Sequence, residues 1–204
     1  MSDGKVFAGS IFAVGLAFLA AFFLFTNAST TQAVAAEDGA GPNLVIEVAG
    51  EGNGTIVIDL LPEVAPKHVE RLVALAESGE YNDVVFHRVI DGFMAQTGDV
   101  QFGKAGGDTS RAGTGASSMP DLPAEFSDVS FERGVVGMAR SSNPNSANSQ
   151  FFIMFAPAPH LNGQYTVLGR VVEGMDVVDS IKKGRGGNGA VSDPDRIVSV
   201  TVQP

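Results

Sequence analysis

Two alternating runs open the folded part of the chain. Leu44, Ile46 and Val48 fall on one side of the first, and Ile56, Ile58 and Leu60 on one side of the second. Between them lies Gly50-Glu51-Gly52-Asn53-Gly54, rich in residues that tolerate positive φ. A period of two is the repeat of a strand with one buried face, so the pair predicts an antiparallel hairpin. The period then lengthens. Val69, Leu72, Val73 and Ala76 share a face at helical spacing, Pro66 suits a first turn and Gly79 a stop, which predicts a helix over residues 65–78. Further strands are expected over 84–90, 93–96, 135–139, 150–155 and 165–172, with a closing alternation over 197–202. A short helix is expected over 175–183, with Asp176 near its start, Lys182 and Lys183 near its end and Gly184 beyond, as the helix dipole prefers. Many strands with two helices predict a mainly β fold: a closed barrel with helices over its open ends. No internal repeat is present.

The N-terminal pattern is different. Residues 6–25 carry no charge and 11–25 are almost wholly apolar, with Lys5 ahead of them. A small and polar stretch, 26–36, follows and contains Ala33-Val34-Ala35, the A-x-A form of a signal-peptidase site. Asp3 offsets Lys5, and the apolar run is nearly long enough to span a bilayer at about 1.5 Å per residue. A run without a polar face does not read as a core helix. The expectation is therefore a cleaved signal peptide, with an uncleaved inner-membrane anchor as the alternative. Either exports the remainder, to the periplasm, and membrane contact is expected only through residues 6–25 if they stay. Residues 1–36 are assigned to this segment, 37–42 to a linker and 43–204 to one globular domain.

Composition narrows the chemistry. The 204 residues are 44% hydrophobic and 18% charged, which suits one domain plus an appendage. Lys and Arg total 13 against 23 Asp and Glu, a formal charge of −10, so there is no general attraction for nucleic acid or anionic lipid. Without cysteine there is no disulfide, thiolate nucleophile or Cys-based zinc site. His68, His87 and His160 stand at no metal-ligand spacing, and no G-x-S-x-G elbow or phosphate-cradling loop occurs. Residues 184–189, Gly-Arg-Gly-Gly-Asn-Gly, follow a helix instead of opening one and read as a plain loop. Hydrolase, metalloenzyme and nucleotide-binding readings lose their central residues, and no metal or cofactor is expected.

Three blocks remain. The first is Phe86-His87-Arg88-Val89-Ile90-Asp91-Gly92-Phe93-Met94-Ala95-Gln96-Thr97-Gly98-Asp99. By composition alone, its Arg88 is an edge-strand arginine pairing with an acid. The second is Ser149-Gln150-Phe151-Phe152-Ile153, where on a strand Gln150 and Phe152 share a face and Phe151 turns to the other. The third is His160-Leu161-Asn162-Gly163-Gln164-Tyr165. In order and spacing, together with Met138-Ala139 and the run to Val171, these blocks resemble the cyclophilin family over residues 43–202. Ala112-Gly113-Thr114-Gly115 and Leu122-Pro123-Ala124-Glu125-Phe126 look more like its bacterial members.

The resemblance implies an eight-stranded antiparallel barrel capped by two helices, and peptidyl-prolyl cis/trans isomerase activity. It assigns the catalytic donor to Arg88, and an apolar socket for the proline ring to Phe93, Met94, Phe152, Leu161 and Tyr165. Gln96 is expected to bond the substrate backbone and orient Arg88, with Gln150 beside it. Ala139, Arg140 and Ser141 are expected to offer backbone groups to the residues before proline, and His160 to complete the substrate-binding set. His160 stands where cyclosporin-sensitive members carry Trp, Arg140 where many relatives carry Asn, and Tyr165 where many carry His. The implied partners are proline-containing polypeptides, and a monomer is expected. A proline-peptide receptor or holdase without turnover would share the socket, but affinity alone needs no fork at Arg88 with Gln96. A lectin-like or structural barrel would need none of the three blocks.

Overall fold

The computed structural model describes residues 39–204; the signal-or-anchor expectation for residues 1–36 lies outside the described residues. Its strands are β1 (Asn43–Ala49), β2 (Gly54–Leu60), β3 (Arg88–Ile90), β4 (Met94–Thr97), β5 (Val135–Met138), β6 (Phe151–Met154), β7 (Val167–Glu173) and β8 (Arg196–Gln203). Helix α1 is Pro66–Glu77, α2 is Met175–Ser180, and a 3₁₀ turn covers Pro159–Leu161. The strands form one antiparallel sheet in the order β3-β4-β6-β5-β7-β2-β1-β8. Register shifts in the β1–β8, β2–β7 and β5–β7 pairs let it bend, since an extra residue on one strand increases local twist. The result is a curled half-barrel. Where a closed barrel was expected, the edges β3 and β8 share no ladder; a single bridge, Val85 to Arg196, joins the segment before β3 to the start of β8.

The alternating runs behave as their period requires. Leu44, Ile46, Val48, Ile56, Ile58 and Leu60 are all buried, and Asn43 pairs with both Asp59 and Gln203. The return between β1 and β2 needs its glycine: Gly50 has φ 145°, and a Cβ there would lie 2.0 Å from Oδ1 of Asp195. That buried carboxylate accepts the N–H groups of Glu51, Gly52 and Lys182. It also explains why α2 ends at Ser180 and not at 183. Ile181 is buried in extended backbone, and Lys182 gives its N–H to Asp195 instead of to the helix.

Helix α1 lays Val69, Leu72, Leu75 and Ala76 on the core, Val73 being only half-buried. Its first turn is capped from a distant loop, because Glu125 accepts the N–H groups of Lys67 and His68 and the Nδ1–H of the buried His68 ring at 2.7 Å. The strand expected over 84–90 shrinks to β3. The N–H groups of Val84, Val85 and Phe86 go to the carbonyls of Tyr81, Gly103 and Asp195, so this buried run bonds three segments and forms no ladder before Arg88.

Candidate active site

Four strands place one residue each in a single row. Arg88 on β3 pairs with Gln96 on β4, Gln96 with Phe152 on β6, and Phe152 with Gly137 on β5. Cross-strand partners share a face, so the row lies together on the side opposite Val89, Ala95, Phe151 and Val136, which enter the main core. Phe151 and Phe152 thus divide as their alternation demands. On the row's side a second apolar cluster forms from Met94, Phe131, Phe152, Met154, Leu161 and Val167. Phe152 stacks on Phe131 at 5.8 Å and meets Tyr165 edge-on at 5.8 Å. Gly137 makes room for this: a Cβ there would come within 2.5 Å of Phe152 and 2.6 Å of Phe131.

The cleft over this cluster is about 180 Å³ and is lined by Arg88, Phe93, Met94, Gln96, Ala139, Arg140, Phe152, Leu161 and Tyr165. Of the residues named from sequence, Ser141 and Gln150 line an adjoining, larger pocket of about 420 Å³, which shares Gln96, Ala139 and Arg140 with the first. His160 stands on the exposed rim, its ring stacked on Phe93 at 5.7 Å.

Arg88 is half-buried and, among the described residues, has no ion pair. Nε donates to the carbonyl of Asn188 at 3.0 Å, and Nη1 donates to Oε1 of Gln96 at 3.2 Å and faces Sδ of Met94 at 3.7 Å. Its acceptors are therefore all neutral, and the Nη2 hydrogens have no acceptor among the described residues. The acid partner that composition suggested is not found among the described residues. Gln96 passes the bond on: Nε2 donates to Oε1 of Gln150 at 3.0 Å, and Nε2 of Gln150 donates to the carbonyl of Gly115 at 2.8 Å. Among the described residues no carboxylate lines the cleft, in a chain of net charge −10.

Arg140 forms the wall between the two pockets. Its Nε and Nη2 both donate to the carbonyl of Gln164, at 3.1 and 2.8 Å, and its guanidinium lies 4.3 Å over the Tyr165 ring. The N–H groups of Ala139 and Ser141 donate within the chain, to the Gln150 carbonyl and to Oγ of Ser146. His87, next to Arg88, is buried; burial pushes it below the usual imidazole range, partly opposed by Asp99, by the Val85 backbone and by Gln150. Among the described residues no cluster of His, Cys, Asp or Glu could hold a metal ion.

Sequence reasoning missed Asn188, Gly115 and Phe131. The first two act through backbone carbonyls, which leave no mark in residue type. The loop 184–189, read as plain, both carries the Arg88 acceptor and pairs with β3: Val89 donates to Gly189, and Arg88 bridges Ala190.

Comparison with known proteins agrees with this geometry. Residues 44–202 match the family model described as cyclophilin type peptidyl-prolyl cis-trans isomerase/CLD. A probable peptidyl-prolyl cis-trans isomerase of Brucella suis is 55% identical over 190 residues, covering 92% of this chain and 95% of that one. Among solved structures, the cyclophilin AquaCyp293 from Hirschia baltica aligns with a TM-score of 0.64 at 26% identity, over 78% of this chain and 73% of that one. A Cryptosporidium parvum cyclophilin-type isomerase, crystallised in the presence of the dipeptide Ala-Pro, aligns with a TM-score of 0.67 at 25% identity, over 79% and 99%. The chain belongs to the cyclophilin family. It is a peptidyl-prolyl cis-trans isomerase.

Proposed function

We propose that Arg88 drives the isomerisation by hydrogen-bonding the twisted amide, and that the substrates are proline-containing segments of exported polypeptides. Rotation about a peptide bond faces a barrier of ~18–20 kcal/mol from amide resonance, while the two isomers before proline lie within about 1 kcal/mol. No covalent bond is made or broken, so catalysis consists of holding the twisted state more tightly than the planar one. In that state the prolyl nitrogen turns pyramidal and becomes a hydrogen-bond acceptor. A guanidinium cannot lose its charge near neutral pH, and its planar fork offers that nitrogen, or the neighbouring carbonyl, a fixed donor.

The observation that carries this reading is the neutral seat of Arg88. An ion-paired guanidinium would have its charge cancelled; this one keeps its charge and its Nη2 donors at the edge of an apolar cleft. Phe93, Met94, Phe152, Leu161 and Tyr165 would receive the proline ring. With two of its N–H groups engaged, segment 139–141 would meet the preceding residues through the Ala139 carbonyl and the Arg140 N–H. The Ala-Pro dipeptide present with the Cryptosporidium relative supports a ligand of this kind. Exchange NMR on a short Ala-Xaa-Pro-Phe peptide tests the reading: the parent chain should accelerate exchange and Arg88→Ala should not.

The export part of the proposal rests on the apolar run 6–25 and on Ala33-Val34-Ala35. In a Gram-negative host the protein should fractionate outside the cytoplasm, with a new N-terminus near Ala36 or Glu37. Full-length soluble protein in the cytoplasm would end that proposal, and full-length protein in the membrane would convert the signal to an anchor.

A further inference from the structure

Asp99 is fully buried, and among the described residues no cation pairs with it. All four of its hydrogen bonds come from backbone. Oδ1 accepts the N–H groups of Gln101 at 3.1 Å and Phe102 at 2.8 Å; Oδ2 accepts those of Gly113 at 2.7 Å and Gly115 at 2.8 Å. A buried carboxylate is expensive to desolvate, so such a clamp on an otherwise irregular loop calls for a reason. The loop's tip, Gly113 and Thr114, is exposed and belongs to no strand or helix. Its tie to the cleft is the Gly115 carbonyl, which accepts Nε2 of Gln150.

That tie fixes a direction. A row of amides can run either way, and only its ends decide. Arg88 can only donate, so Gln96 must turn its oxygen toward the guanidinium and its nitrogen toward Gln150. Gln150 must answer with its oxygen, which leaves its own nitrogen in need of an acceptor. Gly115 supplies it. With that carbonyl displaced, Gln150 loses the acceptor that holds it, and Gln96 keeps its bond from Arg88 but loses the fixed partner at its other end.

We propose that Asp99 is a positioning residue for the isomerisation: by clamping the 113–115 loop it holds the carbonyl that orients Gln150 and Gln96, and through them keeps Arg88 aimed into the cleft. The proposal rests on the reading of Arg88 as the amide donor.

The test uses the full chain and exchange NMR on an Ala-Xaa-Pro-Phe peptide at several peptide concentrations. Asp99→Asn sets an amide nitrogen among backbone donors and releases the loop. The exchange rate at saturating peptide should fall about tenfold, less than the ~10²-fold that an ångström of misplacement can cost. Peptide affinity should stay within about twofold, because the apolar socket is untouched. The Nε–H resonance of Arg88 should also shift, which loss of stability alone does not produce. A carboxylate this buried can be needed for folding, so Gly113→Ala carries the same test from the exposed side. Gly113 has φ 96°, and a methyl there would lie 3.0 Å from the His87 ring, which lifts the loop while leaving Asp99 in place. Gly113→Ala should slow exchange to a similar degree, and adding Gln150→Met should slow it no further, since both break one chain of bonds. Parent-rate exchange in folded Asp99→Asn or Gly113→Ala, or effects that multiply in the double variant, would overturn the proposal. Arg88→Lys is measured alongside: a fully active Arg88→Lys defeats the reading of Arg88, whereas an inactive one beside parent-rate loop variants defeats only the role of Asp99.

Discussion

The cleft and the start of α1 treat charge in opposite ways. At α1, the Glu125 carboxylate takes two backbone N–H groups and the His68 ring, and its charge is spent on the helix end. On the surface, Arg133 and Asp179 meet through two bonds of 2.8 and 2.6 Å and satisfy each other. In the cleft, Arg88 is gripped by a carbonyl and an amide, neither of which cancels its charge. Glu125 is thus met by a helix end and Asp179 by an opposite charge, whereas Arg88, at the cleft, is oriented by neutral groups and left uncompensated.

The largest effect should come from the uncompensated charge. Removing a preorganised donor typically costs about 10²–10³ in rate, so Arg88→Ala should nearly abolish isomerisation, and Arg88→Lys should restore little because an ammonium lacks the fork. With only its bonds to neutral groups to lose among the described residues, Arg88→Ala should stay folded, its stability falling by no more than about 3 kcal/mol. A variant that loses stability and keeps its catalysis would reverse the comparison.

Acid should do the opposite, harming the fold and sparing the chemistry. Burial holds both His68 and His87 below the usual 6.5, the bond to Glu125 only partly opposing it at His68. The unfolded chain therefore takes up these protons first. Stability is complete above about pH 6.5 and falls below it, by up to about 1.4 kcal/mol per pH unit for each histidine. Glu125 follows in a lower window. Burial raises it, but the bonds from His68 and Lys67 outweigh that and hold it below its usual 4.5, so its contribution is lost only as pH falls under that value. Melting temperature should drop from pH 7 to 5 while the rate per folded molecule stays level, since neither a carboxylate nor a histidine is among the described residues that line the cleft. A rate that falls with the same profile would place a titrating group in the cleft.

Two smaller effects sharpen the contrast. His160 offers the rim less apolar area than an indole, so His160→Trp should tighten cyclosporin by about 1–3 kcal/mol at ~25 cal/mol per Å² and leave isomerisation similar. Titration calorimetry checks this, and unchanged affinity would remove His160 as the determinant. Arg133→Ala breaks a pair whose side chains are 46% and 47% exposed, so it should cost less than about 1 kcal/mol and leave the rate unchanged.

What the sequence makes legible follows from where the information is stored. The alternation of Leu44, Ile46 and Val48, and the opposite facing of Phe151 and Phe152, are written in residue type and recur in the structure. Most of the cleft lining was likewise legible, because motif residues line it directly. The early stop of α2, the shortening of β3 and the grip of Asn188 and Gly115 depend on where distant backbone groups find partners. A buried run such as 84–87 looks like a strand whether its N–H groups go to one neighbour or to three. Asp99 was visible within the first block, but nothing in the string shows that four amides converge on it.

The pairing of Asn43 with Gln203 brings the two ends of the domain to one corner of the sheet. Chain order is then partly arbitrary. A short linker could join residue 204 to residue 39, and the chain could be reopened in the exposed stretch 141–145 without cutting a strand. Such a rearranged gene would encode the same sheet with β6 first and β5 last. Because the break would fall beside the pocket that adjoins the cleft, its new ends would offer a place to attach a peptide or reporter within reach of a bound substrate.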